Sequence, residues 1–240
     1  MATDDGQGGG AADVAGVAAG LAEVRARIDA AARAAGRDPA AVALVAVSKT
    51  QAPERVGAAL AAGQRAFGEN YVQEAQARWA PLRERHPDLE LHLVGALQSN
   101  KAAAAVALFD VIQTVDRPRL ARELAKETAR QGRRPRLLVQ VNTGEEPQKG
   151  GVLPGGLEDL LALCRAELGL AVEGLMAIPP DDEDVAPHAA LLAKLAARHG
   201  LPEVSVGMSG DYETAARFGA TIVRVGTAVF GARPRRPAAV

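Results

Sequence analysis

Eight short runs of aliphatic residues alternate with helix-like segments along most of this chain. The first run, residues 42–47 (VALVAV), is typical: it contains no polar side chain. A strand with one face in water alternates apolar and polar residues, whereas a continuous apolar strand is buried on both faces. The pattern therefore predicts an α/β fold in which a parallel sheet is covered by helices.

The length of the chain favours one closed form of that sheet. Its 240 residues are close to the roughly 250 of an eightfold (β/α) barrel. A doubly wound open sheet is the alternative, but no GxGxxG follows the first strand to support dinucleotide binding. We expect a single (β/α)8 TIM barrel over residues 11–232, with disordered ends at residues 1–10 and 233–240.

An extra helix is predicted ahead of the first strand. Between residues 11 and 36, apolar side chains recur at alternating steps of three and four, and Gly36 and Pro39 end the segment. The apolar positions are Val14, Val17, Leu21, Val24 and Ile28. Such a stripe is expected to pack against the body of the barrel.

Charge and cysteine content argue against several classes of partner. The 28 Lys and Arg nearly balance the 29 Asp and Glu, so no strong field would attract nucleic acid or an anionic membrane. Cys164 is the only cysteine, and neither CxxC nor His spacing suggests a metal site. The acidic start lacks the features of a signal peptide. We expect a cytoplasmic protein with a buried, inert thiol and surface roles for His86, His188 and His199.

Polar residues stand where the predicted strands end. In a barrel of this type, the functional site lies at the carboxyl ends of the strands, so these residues should meet at one mouth. They include Lys49, Glu69, Asn70, residues 98–101, Gln140, Asn142, Ser209, Arg224 and Thr227, with Met208 and Gly226 beside them.

Lys49 follows the first apolar strand. Apolar walls would lower the pKa of an emerging amine and leave it able to attack a carbonyl. The alternative is a surface lysine whose stem covers the barrel rim. Arg224 lies inside the apolar run TIVRVG, and alternation places it opposite Val223 and Val225. It either faces a ligand in the barrel or forms a structural salt bridge with an acid such as Glu69.

The loops after strands seven and eight are a habitual phosphate site in these barrels. Gly226 and Thr227 would let backbone N–H groups approach an anion, and Ser209 could donate its hydroxyl. Alternatively, Gly226 only makes a tight turn and Ser209 only caps a helix. Together with Lys49, the set suggests a phosphorylated carbonyl compound as ligand.

Longer motifs carry a family resemblance. The segments VSKTQAPE, FGENYVQEA, LHLVGALQSNK, LVQVNTGEEPQKGG, GLMAIPP, VSVGMSGDYETAARFGAT and VRVGTAVFG occur in order over about residues 15–231. They resemble the pyridoxal-phosphate homeostasis proteins, which look like the barrel domain of alanine racemase (its N-terminal domain) standing alone. Small departures occur at Leu91, Gly210 and Tyr212.

The resemblance implies a set of cofactor contacts. Lys49 would hold pyridoxal 5′-phosphate (PLP) as a Schiff base, and Arg224 would face the pyridine nitrogen. Ser209, with the Gly226 and Thr227 backbone, would hold the phosphate. Asn70 would lie near the ring. Met208 and His92 are further candidates, and the departures concern only contacts at the ring edge.

The resemblance also implies a role. We expect a monomeric carrier or buffer of PLP that has no catalytic residues and whose partners include PLP-dependent apoenzymes. A single-domain racemase with Lys49 as base is the alternative; the second domain that supplies a tyrosine to racemases is not expected here. Tyr71 and Tyr212 are the only tyrosines. A Schiff-base aldolase or lyase using Glu69 is a third class.

Overall fold

The computed structural model describes residues 8–231, with side chains from residue 15 onward. The expected disordered segments lie largely outside this range, at residues 1–7 and 232–240. The long first helix, α1, spans Gly8–Ala34 and so begins three residues before the expected Ala11. No helix in the described part is long and apolar enough to cross a membrane.

Eight parallel strands close into a barrel in sequence order, which confirms the predicted fold. The strands are β1 Ala43–Val47, β2 Ala66–Glu69, β3 Glu90–Leu93, β4 Val111–Val115, β5 Arg136–Gln140, β6 Val172–Met176, β7 Glu203–Ser205 and β8 Ile222–Val225. Closure occurs where β1 pairs with β8, in the register Ala43 with Ile222 and Ala46 with Val225. The carboxyl ends of all strands therefore share one mouth.

Helices cover the outside of the barrel. They are α2 Pro53–Ala61, α3 Val72–Arg83, α4 Ala102–Leu108, α5 Pro118–Gln131, α6 Leu157–Ala162, α7 Val185–Arg198, α8 Tyr212–Arg217 and the short α9 Thr227–Phe230. A π-helical turn, Leu163–Glu167, continues α6. Pro118 is the first residue of α5, and its N-cap is Arg117, which pairs with Asp116.

The extra helix α1 packs against α2, α8 and α9. Val17, Leu21, Val24 and Ile28 are all buried, as their spacing predicts. A methyl group at Gly20 would lie 2.7 Å from the Val229 carbonyl oxygen. Close approach of α1 to α9 therefore requires a residue without a side chain at this position.

Two apolar clusters fill the fold. The larger lies between the strands and the helices and contains Cys164, whose thiol pKa is raised to about 11 by burial. The smaller fills the barrel interior with Val45, Val111, Leu138, Met176 and Ile222. At the amino-terminal end of the strands, Arg136 pairs with Glu90 and Glu203. The interior thus has a charged base and an open mouth, with this aliphatic cluster between them.

Candidate functional site

The mouth of the barrel contains a cavity of about 330 Å³, at the small end of the range for ligand pockets. Seven of the eight residues named as candidate cofactor contacts line it, and His92 does not. The lining residues are Val47, Lys49, Gln51, Asn70, Val94, Ile178, Met208, Ser209, Gly210, Arg224, Gly226 and Thr227. The convergence expected from the strand ends is present for these residues but not for Glu69, residues 98–101, Gln140 or Asn142, which do not line the cavity. The binding role of each lining residue stays a prediction.

Lys49 lies two residues beyond the end of β1, in a segment whose backbone is held by a side chain from helix α3 on the outside of the barrel. Arg78 of α3 donates to the backbone carbonyl oxygens of Ser48 and Gln51, the latter at 2.9 Å. Between them Thr50 adopts a φ of 62°, which is strained for a β-branched residue. The backbone that carries the amine is thus fixed before any ligand binds.

Glu69 supports this same segment rather than the barrel interior. Its carboxylate is 1% exposed and accepts hydrogen bonds from Ser48 Oγ at 2.7 Å, Arg78 Nη1 at 2.9 Å and Trp79 Nε1 at 3.0 Å. Of the two alternatives for Arg224, the salt bridge with Glu69 is therefore wrong. Because Glu69 does not line the cavity, it is also not placed to act there as an acid or base.

Arg224 points into the barrel, as the alternation along β8 predicts. Its neighbours Val223 and Val225 pack in the outer cluster, and its guanidinium reaches the cavity. Nη1 donates to Ser205 Oγ at 2.7 Å and Nη2 to the Ala177 carbonyl oxygen at 2.9 Å. Burial lowers the pKa of Arg224 to about 10. The group therefore remains a cation at neutral pH and presents positive charge to the cavity.

The loops after β7 and β8 meet at Ser209. Its Oγ accepts hydrogen bonds from the backbone N–H of Gly226 at 3.2 Å and of Ala228 at 3.4 Å. Converging backbone donors beside a hydroxyl suit the oxygens of a phosphate. Met208 and Ser209 lie beyond the end of β7, which stops at Ser205, so they belong to the loop and not to the strand.

Asn70 follows β2 and is held close to the next loop. A methyl group at Gly95 would lie 2.3 Å from the Asn70 carbonyl oxygen and 2.7 Å from its Cα. Only glycine at position 95 permits this approach. Sequence reasoning did not single out Gly95. It also missed Val47, Gln51, Val94 and Ile178, whose only signal was their place at or just beyond strand ends.

Several expectations about other residues need correction. His92 is not at the cavity; it is buried inside the barrel between Glu90 and Gln113. His188 is buried too, with hydrogen bonds to Thr143 Oγ1 and Glu183, because α7 packs against the loop after β5. Asn142 lies beyond the end of β5 and bonds the backbone of that loop.

The two tyrosines lie outside the cavity. Tyr71 precedes α3 and is 57% exposed, while Tyr212 opens α8 and is buried. Burial raises the pKa of the Tyr212 hydroxyl. Neither residue lines the cavity. Within the described residues, no group of three or more His, Cys, Asp or Glu could hold a metal ion.

Comparison with known proteins gives a consistent result. The family model described as "Alanine racemase, N-terminal domain" matches residues 20–234. The chain is 43% identical over 224 residues to the pyridoxal phosphate homeostasis protein of Pseudomonas aeruginosa, covering 90% of this chain and 96% of that relative.

Solved structures agree. PipY of Synechococcus elongatus, with PLP bound, has a TM-score of 0.76 and 38% identity, covering 90% of this chain and 100% of that one. Alanine racemase from Bartonella henselae shares the fold at 16% identity and a TM-score of 0.68, covering 95% of this chain and 61% of the racemase. With its barrel, its motifs and these relatives, the chain belongs to the pyridoxal phosphate homeostasis protein family.

Proposed function

We propose that this protein binds PLP as a Schiff base on Lys49 and acts as a carrier or buffer in intracellular PLP homeostasis. One observation carries the proposal: a single cavity brings together an amine, a buried cation and converging backbone donors, at Lys49, Arg224 and the Ser209–Gly226 contact. The names of its relatives and the PLP in PipY support the same ligand.

The lining residues fit the three functional groups of PLP. Lys49 would hold the aldehyde carbon through its Nζ as a Schiff base, with loss of water. Ser209 and the N–H groups of Gly226 and Thr227 would hold the phosphate. Arg224 would face the pyridine nitrogen, and Asn70 and Met208 would contact the ring. The cavity of about 330 Å³ suits a ligand of this small size.

The group that faces the ring nitrogen bears on catalysis. PLP supplies an electron sink for carbanion chemistry, and a carboxylate at the nitrogen strengthens that sink by keeping the nitrogen protonated. Arg224 is a cation with only hydrogen-bond donors, so it would donate to the lone pair of the ring nitrogen and disfavour protonation of that nitrogen. A weaker sink favours holding the cofactor over using it.

Proton-transfer groups in the cavity are also few. Among the lining residues there is no His, Asp, Glu or Tyr, and Lys49 is the amine that would be bonded to PLP. A racemase needs an acid and a base on opposite faces of the substrate carbon. Neither Tyr71 nor Tyr212 lines the cavity, so neither is placed to be the second proton-transfer group besides Lys49. We therefore favour the carrier over the single-domain racemase.

Access to solvent suits a carrier. Thr227 and Ala228, which border the proposed phosphate site, are exposed. A site that releases its ligand must be reachable by water and by recipients. PLP-dependent apoenzymes are the recipients we propose, with the protein acting as a monomer in the cytoplasm.

The binding test uses the visible absorbance of PLP bonded to a protein amine. PLP added to purified protein should produce the band, Lys49→Ala should abolish it, and Lys101→Ala, a lysine outside the cavity, should keep it. Persistence of the band in Lys49→Ala would refute the assignment of the amine.

A second experiment separates the carrier from the racemase. The PLP-loaded protein is incubated with individual L-amino acids in deuterium oxide, and deuterium at the α carbon is measured by NMR. The carrier predicts no exchange above that caused by free PLP. Exchange at catalytic turnover, lost in Lys49→Ala, would establish the racemase instead.

A further inference from the structure

A column of hydrogen-bonded polar side chains runs through the barrel interior below the cavity. Arg224 Nη1 donates to Ser205 Oγ at 2.7 Å, and Ser205 Oγ donates to Gln113 Oε1 at 2.6 Å. Gln113 Nε2 lies 2.8 Å from His92 Nδ1, and His92 Nε2 lies 2.7 Å from Glu90 Oε1. Four strands, β8, β7, β4 and β3, thus contribute to one connected path.

The three middle residues have no contact with solvent that would explain their polarity. Ser205, Gln113 and His92 are all fully buried, in an interior otherwise filled by aliphatic side chains. Apolar residues at these positions would avoid the cost of removing polar groups from water. Buried polar groups of this kind are tolerated when every member is paired, and they then hold a unique arrangement.

The donors and acceptors run in one direction. Arg224 can only donate, so Ser205 Oγ accepts from it and uses its single proton toward Gln113 Oε1. Gln113 must then donate through Nε2, which makes His92 Nδ1 an acceptor and places the ring proton on Nε2. That proton is donated to the carboxylate of Glu90. Each side chain therefore fixes the orientation of the next.

The far end of the column is anchored by charge. Glu90 Oε2 accepts from Arg136 Nη2 at 2.6 Å, and Arg136 also pairs with Glu203. The hydrogen bond from His92 and the charge of Arg136 hold the pKa of Glu90 near 2, so its carboxylate is available as an acceptor at neutral pH. The column is thus fixed at its base and ends at the cavity.

Arg224 has few other restraints. Its remaining hydrogen bond goes to the Ala177 carbonyl oxygen at 2.9 Å, and among the described residues it forms no ion pair. One neutral carbonyl group does not define the plane of a guanidinium. The hydroxyl of Ser205 supplies the second point, and Gln113 holds that hydroxyl in place.

We propose that Ser205, Gln113 and His92 are positioning residues that hold Arg224 toward the ring nitrogen of bound PLP. In this way they would set the affinity of the protein for PLP and the protonation of the ring nitrogen. The inference rests on the proposed function, since the orientation of Arg224 matters to PLP only if the ring lies against it. None of the three residues touches the cavity.

The test compares variants inside and outside the column. Ser205→Ala and Gln113→Leu break it, whereas Ser205→Thr keeps the hydroxyl. Thr114→Val is the matched control: Thr114 is the next residue in β4, is equally buried, and donates to the Gly95 carbonyl oxygen at 3.0 Å away from the column. It removes a buried hydrogen bond of similar worth without affecting Arg224.

Two quantities are measured: the dissociation constant of PLP, and the pH midpoint of the visible band. Ser205→Ala and Gln113→Leu should weaken binding about tenfold, the effect of one lost hydrogen bond to a charged group. Both should also move the midpoint, because a displaced Arg224 lets the ring nitrogen gain a proton. Ser205→Thr and Thr114→Val should bind as the unchanged protein does.

Two results would overturn the inference. One is an unchanged affinity and midpoint in both column variants; the other is an equal change in Thr114→Val, which would indicate general destabilisation. Borohydride reduction with PLP is also carried out on each variant, and labelling of Lys49 shows whether PLP still bonds to this amine. This readout distinguishes a wrong role for the column from a wrong proposed function. If Lys49 is labelled throughout, only the role of the column is refuted.

Discussion

Arg78→Met is expected to destabilise the fold at the segment that carries Lys49. Arg78 forms the ion pair with buried Glu69 and donates to two backbone carbonyl groups beside the lysine. Removing one partner of a buried pair leaves the other charge uncompensated and costs about 3–5 kcal/mol. Because the Arg78 side chain is 18% exposed, water can reach part of the site, and we expect the lower end, about 3 kcal/mol.

Urea denaturation of the protein without PLP measures this loss. A cost of about 3 kcal/mol corresponds to a transition midpoint lower by about 1 M. Arg33→Met is the control, since its pair with Asp29 is largely exposed and should be worth about 0.5 kcal/mol or less. PLP affinity should also fall in Arg78→Met, because Ser48 and Gln51 lose the donor that fixes the backbone around Lys49.

A double variant tests the electrostatic reasoning itself. Glu69→Gln in the Arg78→Met background removes the buried charge, so part of the lost stability should return. A loss below about 1 kcal/mol in Arg78→Met would show that the ion pair does not hold this segment. Strictly additive losses in the double variant would show that Glu69 and Arg78 are not coupled.

Three further changes probe the site and its base. Gly207→Ala should lower the free energy of unfolding by at least about 2 kcal/mol in urea denaturation, because φ is 100° and the new methyl group would lie 2.5 Å from Ala215 Cβ. Gly210→Ala is the control and should cost much less, because its new methyl group would meet open space. Equal losses in the two variants would contradict the steric argument. Thr50→Gly should stabilise the protein by on the order of 1 kcal/mol. Relief of the backbone strain at a φ of 62° should outweigh the extra conformational entropy that glycine gives the unfolded chain. A destabilised variant would refute this. The folded pKa of Glu90, about 2, lies below its ordinary 4.5, so its contribution is present above pH 4.5 and is lost as pH falls toward 2. Glu90→Gln should therefore flatten the decline in stability over that interval, and an unchanged decline would contradict the assignment.

Strand and helix periodicity predicted the barrel because most strands are rich in aliphatic residues and several helices are followed by glycine. The same reasoning located the cavity, since polar residues after parallel strands must meet at one end. Lys49, Ser209, Arg224 and Gly226 were found in this way, and the inward direction of Arg224 followed from the alternation along β8.

Pairing between distant side chains was not predictable from the sequence. Glu69 ends β2 and Arg224 lies one residue before the end of β8, but the side chain of Glu69 turns outward to Arg78, whereas that of Arg224 turns inward to Ser205. His92 was placed near the ring by resemblance, whereas the depth of its position in β3 puts it inside the barrel. The apolar lining residues carried no chemical signal, because Val and Ile serve core and cavity alike.

Covalent mapping tests the central claim most directly. The protein is mixed with PLP, reduced with borohydride and digested, and the peptides are analysed by mass spectrometry. The account predicts a phosphopyridoxyl group on Lys49 at one per chain, while Lys101 and Lys149 remain unmodified. Stoichiometric modification at another lysine, or none at Lys49, would contradict it.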